Sequence, residues 1–208
     1  MFGAFSVFRA KWCGWCGGRT ELFFGIKGIG IFALHTSKDF DNYASGLITA
    51  LFNGLNIKYK EGEIDEKDED YKNFGLSVDN MVSALGKIIN SQLKNSKIVQ
   101  NGINEILTKW IMGLPIKYDD IEHHQQHEWL ADLFLTQRQL IGENCYEHYF
   151  ETLAKIYETK LVNEKTNEKI KTIFQNFVLK EDKLKQIVEK VYNSSEETIK
   201  LKLKKLFK

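Results

Sequence analysis

This sequence of 208 residues has little arginine, cysteine or proline, and each shortage narrows the classes of protein to which it can belong. Arginine occurs only at Arg9, Arg19 and Arg138. Because sites that clamp phosphate favour the bidentate geometry of arginine, its shortage argues against an enzyme that processes nucleotides or RNA. The net charge of +1 provides no global field that would attract nucleic acid or a membrane.

The three cysteines do not match the disulfide framework of a small secreted protein, because one of them would remain unpaired. The N-terminus lacks the basic segment that begins a signal peptide. The apolar run from Leu22 to Leu34 is thirteen residues long and contains Lys27, so it is too short to span a bilayer. We therefore expect a cytoplasmic protein with no transmembrane segment.

The distribution of apolar residues predicts an α+β fold. Phe, Val, Trp and Ile dominate residues 2–36 and glycines interrupt them, which is typical of strands and turns. We predict an N-terminal β-hairpin with strands from about Phe2 to Trp12 and from about Thr20 to His35. A helix capped by Ser37 should follow, because apolar residues then recur every three or four positions.

The rest of the chain is predicted to form a predominantly α-helical C-terminal bundle. An acidic loop at 61–76 marks the predicted boundary between an α+β part at 1–60 and a helical part at 77–208. Ser77 and Ser96 are candidate N-caps of the first two helices in this part.

The one stretch with reactive residues at a chemically meaningful spacing is W-C-G-W-C-G-G, which contains Cys13 and Cys16. It resembles the knuckle of zinc-ribbon and rubredoxin-like proteins, in which the glycines let backbone amides turn towards the thiolates. The resemblance implies a zinc ion as cofactor, with His35 as the first candidate for a further ligand. Trp12 and Trp15 are candidate binding residues beside this site. The other candidate ligands are His123, His124, His127, His148 and Cys145.

The same cysteines allow a redox interpretation. The stretch F-R-A-K-W-C-G-W-C resembles the thioredoxin active-site segment F-x-A-x-W-C-G-x-C, which implies Cys13 as nucleophile and Cys16 as resolving thiol. That family places its cysteines at a helix N-terminus, where the helix dipole lowers the pKa of the thiol. Here Cys16 precedes Gly-Gly-Arg-Thr, a poor helix start, so the fold is not carried over. A third interpretation is a pair of reduced, half-buried thiols, and the residues alone do not decide among the three.

A second candidate metal site is the segment E-H-H-Q-Q-H-E at 122–128. His123 and His127 are four residues apart, so they share one face of a helix, a spacing that can bind one metal ion. The metalloprotease pattern H-E-x-x-H is absent. Exposed imidazoles in a polar first turn of a helix are the alternative.

The C-terminal segment at 199–208 is basic and amphipathic. Lys202, Lys204 and Lys205 are candidates for contact with an acidic partner, a nucleic acid or an anionic membrane. The alternative is a final helix that packs on the protein with its lysines in water.

These observations leave three functional hypotheses. The first is a non-enzymatic module that binds a protein partner or regulates a larger assembly, with or without a structural zinc ion. It is favoured because the sequence contains many predicted helices and no complete catalytic set. The second is a thiol-disulfide oxidoreductase that uses Cys13 and Cys16, and the third is a metal-dependent hydrolase that uses the 122–128 segment.

Overall fold

The computed structural model describes residues 19–36, 39–58 and 68–207, and over these ranges the chain forms α-helices and no strand. The helices are α1 (Arg19–His35), α2 (Asp41–Leu55), α3 (Glu69–Gln92), α4 (Lys97–Gly113), α5 (His123–Gln137), α6 (Tyr146–Ile156), α7 (Glu164–Ile173), α8 (Asp182–Ser194) and α9 (Glu197–Leu206). A π-helical turn, Phe174–Val178, continues α7.

The helices of this bundle form two layers. One layer contains α1, α3, α5 and α7, and each of these packs on the next; the other contains α2, α4, α6 and α8, packed in the same sequential way. Helix α3 also packs across the layers on α2 and α4, and α9 packs on α6 and α8.

The predicted N-terminal β-hairpin is wrong. Its second strand, from Thr20 to His35, lies within the single helix α1, and its first strand lies outside the described residues. Ile26, Ile29 and Ala33 recur at helical spacing and are at most 4% exposed where α1 packs on α3. Burial of this face overrides the strand propensity of Phe and Ile and the helix-weakening effect of the glycines.

Of the three helices predicted from their N-caps, two lie where they were predicted and one begins earlier in the chain. Helix α2 covers the segment predicted to be helical after Ser37, which itself lies outside the described residues. Ser96 caps α4 as predicted, because its hydroxyl accepts the Val99 N–H at 3.1 Å. Helix α3, however, begins at Glu69 within the segment assigned to an acidic loop. Asp68 caps it there by accepting the Asp70 N–H at 2.9 Å.

The division of the chain into an N-terminal and a helical part at residues 61–76 stays a prediction. Among the helices that the structure describes, none is long and apolar enough to cross a membrane.

Aromatic side chains hold the C-terminal half of the stack together. The ring of Phe134 in α5 lies 5.8 Å from that of Tyr149 and 5.9 Å from that of Phe150, both in α6. Phe150 lies 5.7 Å from Phe174, which follows α7. The Tyr149 hydroxyl donates to the carbonyl of Leu130 at 2.8 Å, and its complete burial raises the pKa of Tyr149 well above its ordinary value.

Candidate functional site

A groove of about 430 Å³ lies between α2 and α4, which are neighbours in the same layer. Its floor is apolar: Ile48 and Ile106 are 8% and 1% exposed, and Phe52 and Ile98 are half-buried. Gly102 also lines the groove, and the absence of a side chain there leaves space beside the δ-methyl of Ile106. The groove therefore offers an apolar surface that a partner's side chains can reach from solvent.

The rim of this groove is polar and exposed. Its exposed residues have short hydroxyl or amide side chains, except for one carboxylate. These residues are Ser45, Thr49, Asn53, Asn56 and Glu105. The Lys109 ammonium closes one side, donating to Asn56 Oδ1 at 2.9 Å and lying 5.9 Å from the centre of the Phe52 ring. The charges of Glu105 and Lys109 are opposite, so the described residues that line the groove carry no net charge.

A second polar region is buried beneath the segment that joins α4 to α5. Asp79 of α3 is 5% exposed, and its Oδ2 accepts backbone N–H bonds from Lys117, Tyr118 and Asp119 at 2.9, 2.5 and 3.1 Å. Burial raises the pKa of Asp79, and these three bonds act in the opposite direction. The Asp119 carboxylate forms an ion pair with Lys27 of α1 at 3.1 Å, so this region connects three parts of the stack.

The polar contacts continue along α3 towards α5. The Glu122 carboxylate accepts from Ser83 Oγ at 2.6 Å and from Lys87 Nζ at 2.5 Å. Gln126 donates to the Ser83 carbonyl at 3.4 Å and accepts the indole N–H of Trp110 at 3.0 Å. Each of these groups has a partner within the fold, so the network fixes α3, α4 and α5 relative to one another.

His127, one of the two predicted metal ligands, is fully buried and makes two hydrogen bonds with the backbone. Its Nε2 accepts the Ile116 N–H at 3.1 Å, so we assign the proton to Nδ1, which donates to the Leu161 carbonyl at 2.9 Å. Burial lowers the pKa of His127 to about 4. Because both nitrogens are engaged, His127 has no free lone pair for a metal ion in this arrangement.

His123 lies on the same face as predicted, with its ring 6.4 Å from that of His127. It is 4% exposed, and neither ring nitrogen has a hydrogen-bond partner; Nδ1 lies 3.8 Å from Asp120 Oδ1. Burial, and next the neighbouring His124, lower the pKa of His123. Among the described residues, no three His, Cys, Asp or Glu side chains are arranged to hold one metal ion. Metal binding at His123 and His127 stays a prediction.

His124 and Glu128 of the 122–128 segment lie nearer the surface. His124 is exposed, and its Nε2 is 3.0 Å from the Lys160 carbonyl. Glu128 forms ion pairs with Lys165 at 2.7 Å and with Lys169 at 2.8 Å, and both lysines lower its pKa. These contacts join α5 to α7 and are typical of a structural surface.

Cys145 and His148 do not form a nucleophile and base pair. The Cys145 thiol is 1% exposed and lies 3.6 Å from Thr108 Oγ1, whereas His148 Nε2 lies 3.0 Å from the Leu114 carbonyl. Cys145 therefore packs inside the helical layers.

The predicted cysteine site lies outside the described residues, which include none of Cys13, Cys16, Trp12 and Trp15. His35 is exposed at the end of α1. The hairpin that would bring His35 back towards the cysteines does not form, because the whole of residues 19–35 is one helix. Zinc binding and thiol redox activity at Cys13 and Cys16 stay predictions.

The three C-terminal lysines are each engaged within the protein. Lys202 donates to the Lys155 carbonyl at 2.9 Å, and burial lowers its pKa. The Lys204 ammonium lies 5.6 Å from the centre of the Tyr192 ring, and Lys205 forms an ion pair with Glu158 at 2.7 Å. These contacts favour a packed final helix, and binding of a nucleic acid or membrane here stays a prediction.

Sequence reasoning missed the buried network around α3. Asp79, Ser83 and Lys87 are spaced four residues apart and form one buried polar stripe along α3. That stripe is the signal by which the network could have been found, because buried polar groups at helical spacing require partners. The groove has no such signal, since its two walls are about fifty residues apart in the chain.

Comparison of the chain with protein-family models, with curated proteins and with solved structures gave no match.

Proposed function

We propose that this chain is a non-enzymatic, helical protein-binding module and that its partner contacts the groove between α2 and α4. The observation that carries the proposal is the two-layer stack of helices, in which α2 and α4 lie side by side with an open apolar groove between them. An apolar groove between two helices is a surface into which a partner can place apolar side chains.

The buried polar residues support a structural role over a catalytic one. Asp79, Gln126 and His127 use their polar atoms for contacts that hold the 114–122 segment and the neighbouring helices. The groove between α2 and α4 has an apolar floor that solvent can reach. Binding there requires no change in the packing of the helices.

The chemistry of the groove selects the kind of partner. Its floor favours apolar side chains, and the exposed amides of Asn53 and Asn56 can donate to and accept from a peptide backbone. Since Glu105 and Lys109 leave no net charge, the groove favours an uncharged segment over an acidic or basic one. Most of the rim is exposed, which suits a segment of a protein lying along the helices better than a small ligand that must be enclosed.

Selection of random peptides displayed on phage tests the proposal, with the full chain as the immobilised target. We expect enrichment of peptides rich in apolar residues and poor in charge. A Thr49→Lys variant, which alters an exposed rim residue, should bind the enriched peptides at least tenfold more weakly. A Leu179→Glu variant should bind them as the unaltered chain does, because Leu179 is exposed outside the groove. Failure to enrich any peptide, or equal binding by the Thr49→Lys variant, would overturn the proposal.

A further inference from the structure

The two helices that form the groove run parallel to each other. At one end, the carboxylate of Asp41 in the first turn of α2 accepts the hydroxyl of Ser96 and the N–H of Lys97 (3.3 Å) at the start of α4. At the other end, Asn56 follows α2 and accepts from Lys109, in the C-terminal half of α4, at 2.9 Å. The helices therefore start together and end together, and polar contacts hold the walls of the groove at both ends.

The lining residues follow each wall for about three helical turns. They recur at spacings of three and four residues, from Ser45 to Asn56 on α2 and from Ile98 to Lys109 on α4. At a rise of about 1.5 Å per residue, each wall is about 16 Å long. Gly102 has no side chain, so a further helix can approach α4 closely there. A helix of three turns thus matches the groove in both length and spacing.

The backbone of the walls offers no partner to an extended peptide. The N–H and C=O groups in the middle of α2 and α4 bond within their own helices, so neither wall has an open edge to which a strand can be added. An extended segment on the apolar floor of Ile48 and Ile106 would leave backbone groups without partners, which is costly. A helix satisfies its own backbone and needs only apolar side chains on the side that faces this floor.

Two charges on the α4 wall select the charged residues of such a helix. Glu105 and Lys109 both line the groove one turn apart, and neither side chain forms an ion pair with another described residue. A bound helix with an acidic and a basic residue one turn apart can face each of them with the opposite charge. A glutamate four residues before a lysine also stabilises the helix that carries them.

We propose that the partner of the groove is an amphipathic α-helix of about three turns, with an acidic residue that faces Lys109 and a basic residue, one turn away, that faces Glu105. Apolar residues at every third or fourth position of this helix cover the floor of the groove. The helix carries one charge of each sign and so has no net charge, in agreement with the lining. A partner of this kind rests on the proposed function, because it fills the same groove.

Two synthetic peptides of about fifteen residues test the charges against the full chain. Both have leucine at every third or fourth position and alanine and glutamine elsewhere. The neutral peptide has a glutamate four residues before a lysine, and in the acidic peptide this lysine is replaced by a second glutamate. Fluorescence anisotropy should show that the unaltered chain binds the neutral peptide at least about threefold more tightly, because one opposite-charge pair becomes a like-charge pair. A Glu105→Lys variant should reverse this preference.

The matched control is Glu189→Lys, which makes the same change of charge at an exposed helical residue outside the groove. It should keep the preference of the unaltered chain for the neutral peptide. A third peptide tests the helix itself: it is the neutral peptide with a proline at a central position on the side away from the leucines. The proline breaks the helix and leaves every groove-facing side chain in place, so binding should weaken at least about tenfold.

Equal binding of the proline peptide would overturn the helical partner, and so would a Glu105→Lys variant that keeps the original preference or a Glu189→Lys variant that reverses it. In each case peptides still bind, so the groove remains a binding surface. If neither leucine peptide binds although phage selection yields binders, the helical partner alone is refuted. If neither procedure yields a binder, the proposed function fails as well. A chain that is dimeric by light scattering, with a monomeric Thr49→Lys variant, would instead make a second copy the occupant and overturn the proposal.

Discussion

Replacing Asp79 with alanine should be among the most destabilising single changes at the surface between α3 and the 114–122 segment. The Asp79 carboxylate is 5% exposed and accepts three consecutive backbone N–H groups, from Lys117, Tyr118 and Asp119. The alanine variant removes all three acceptor contacts at once. The donors cannot form helical bonds instead, because the residues that carry them lie between α4 and α5.

The size of the effect follows from these contacts. A hydrogen bond to a charged acceptor contributes about 1.5–3 kcal/mol, and an unpaired buried donor costs about 1–3 kcal/mol. Water can reach two of the donors, because Lys117 and Tyr118 are exposed, but Asp119 is buried. Burial also raises the pKa of Asp79, so the carboxylate itself is held at some cost that the variant removes. We therefore expect a net loss of about 2–3 kcal/mol, below the simple sum of the three bonds.

Urea unfolding at neutral pH, followed by circular dichroism, measures this loss. For a chain of this length it corresponds to a fall in Tm of roughly 4–12 °C. Asp120→Ala is the matched control, because Asp120 lies in the same segment with its side chain 78% exposed, and it should change stability by no more than about 0.5 kcal/mol. Asp79→Asn keeps one acceptor oxygen and the shape of the side chain, so it should lose about 1 kcal/mol. If Asp79→Ala unfolds within about 0.5 kcal/mol of the unaltered chain, the three N–H bonds do not hold this segment.

Two further predictions concern the buried network. The pKa of His127 is lowered from 6.5 to about 4 in the folded chain, so between these pH values the unfolded chain binds one more proton than the folded chain. The stability that is present above pH 6.5 therefore falls as the pH drops towards 4. Urea titrations should show a loss of up to about 3 kcal/mol, which a His127→Gln variant should lack. Gly86→Ala should cost about 1–3 kcal/mol in the same assay, because its Cβ would lie 2.0 Å from Gln126 Oε1. Gly102→Ala, where the nearest atom is 3.5 Å away, should instead stabilise the chain by up to about 1 kcal/mol. A pH-independent stability, or equal effects at the two glycines, would contradict these assignments.

The sequence allowed prediction of the helices whose apolar residues form one clear stripe. Helix α4 follows this pattern and has its N-cap at Ser96 as predicted. Helix α1 was predicted to be a strand because it combines three glycines with Phe and Ile, and its helical face is recognisable only once α3 is packed against it. Local propensity decides the secondary structure of an exposed or evenly amphipathic segment. Packing against neighbouring helices decides it where a segment is apolar on most sides.

The same distinction between local pattern and packing applies to the candidate sites. The proximity of His123 and His127 follows from their spacing within one helix, so the sequence was sufficient to predict it. Whether their nitrogens are free depends on the carbonyl of Leu161 and the N–H of Ile116, which reach His127 from outside its helix. No spacing within α5 predicts those contacts. For the same reason the groove between α2 and α4 became visible only when the two helices were placed side by side.

The polar network fixes how α3, α4 and α5 pack on one another. Apolar contacts alone tolerate sliding of one helix pair over the next, because many arrangements bury similar areas. Gln126 removes this freedom at one junction, since it bonds Ser83 of α3 and the indole of Trp110 of α4 from its position in α5. Hydrogen bonds have narrow limits of distance and angle, so these contacts select a single register for three helices. The packing of α3, α4 and α5 therefore depends on a few particular side chains as well as on apolar burial.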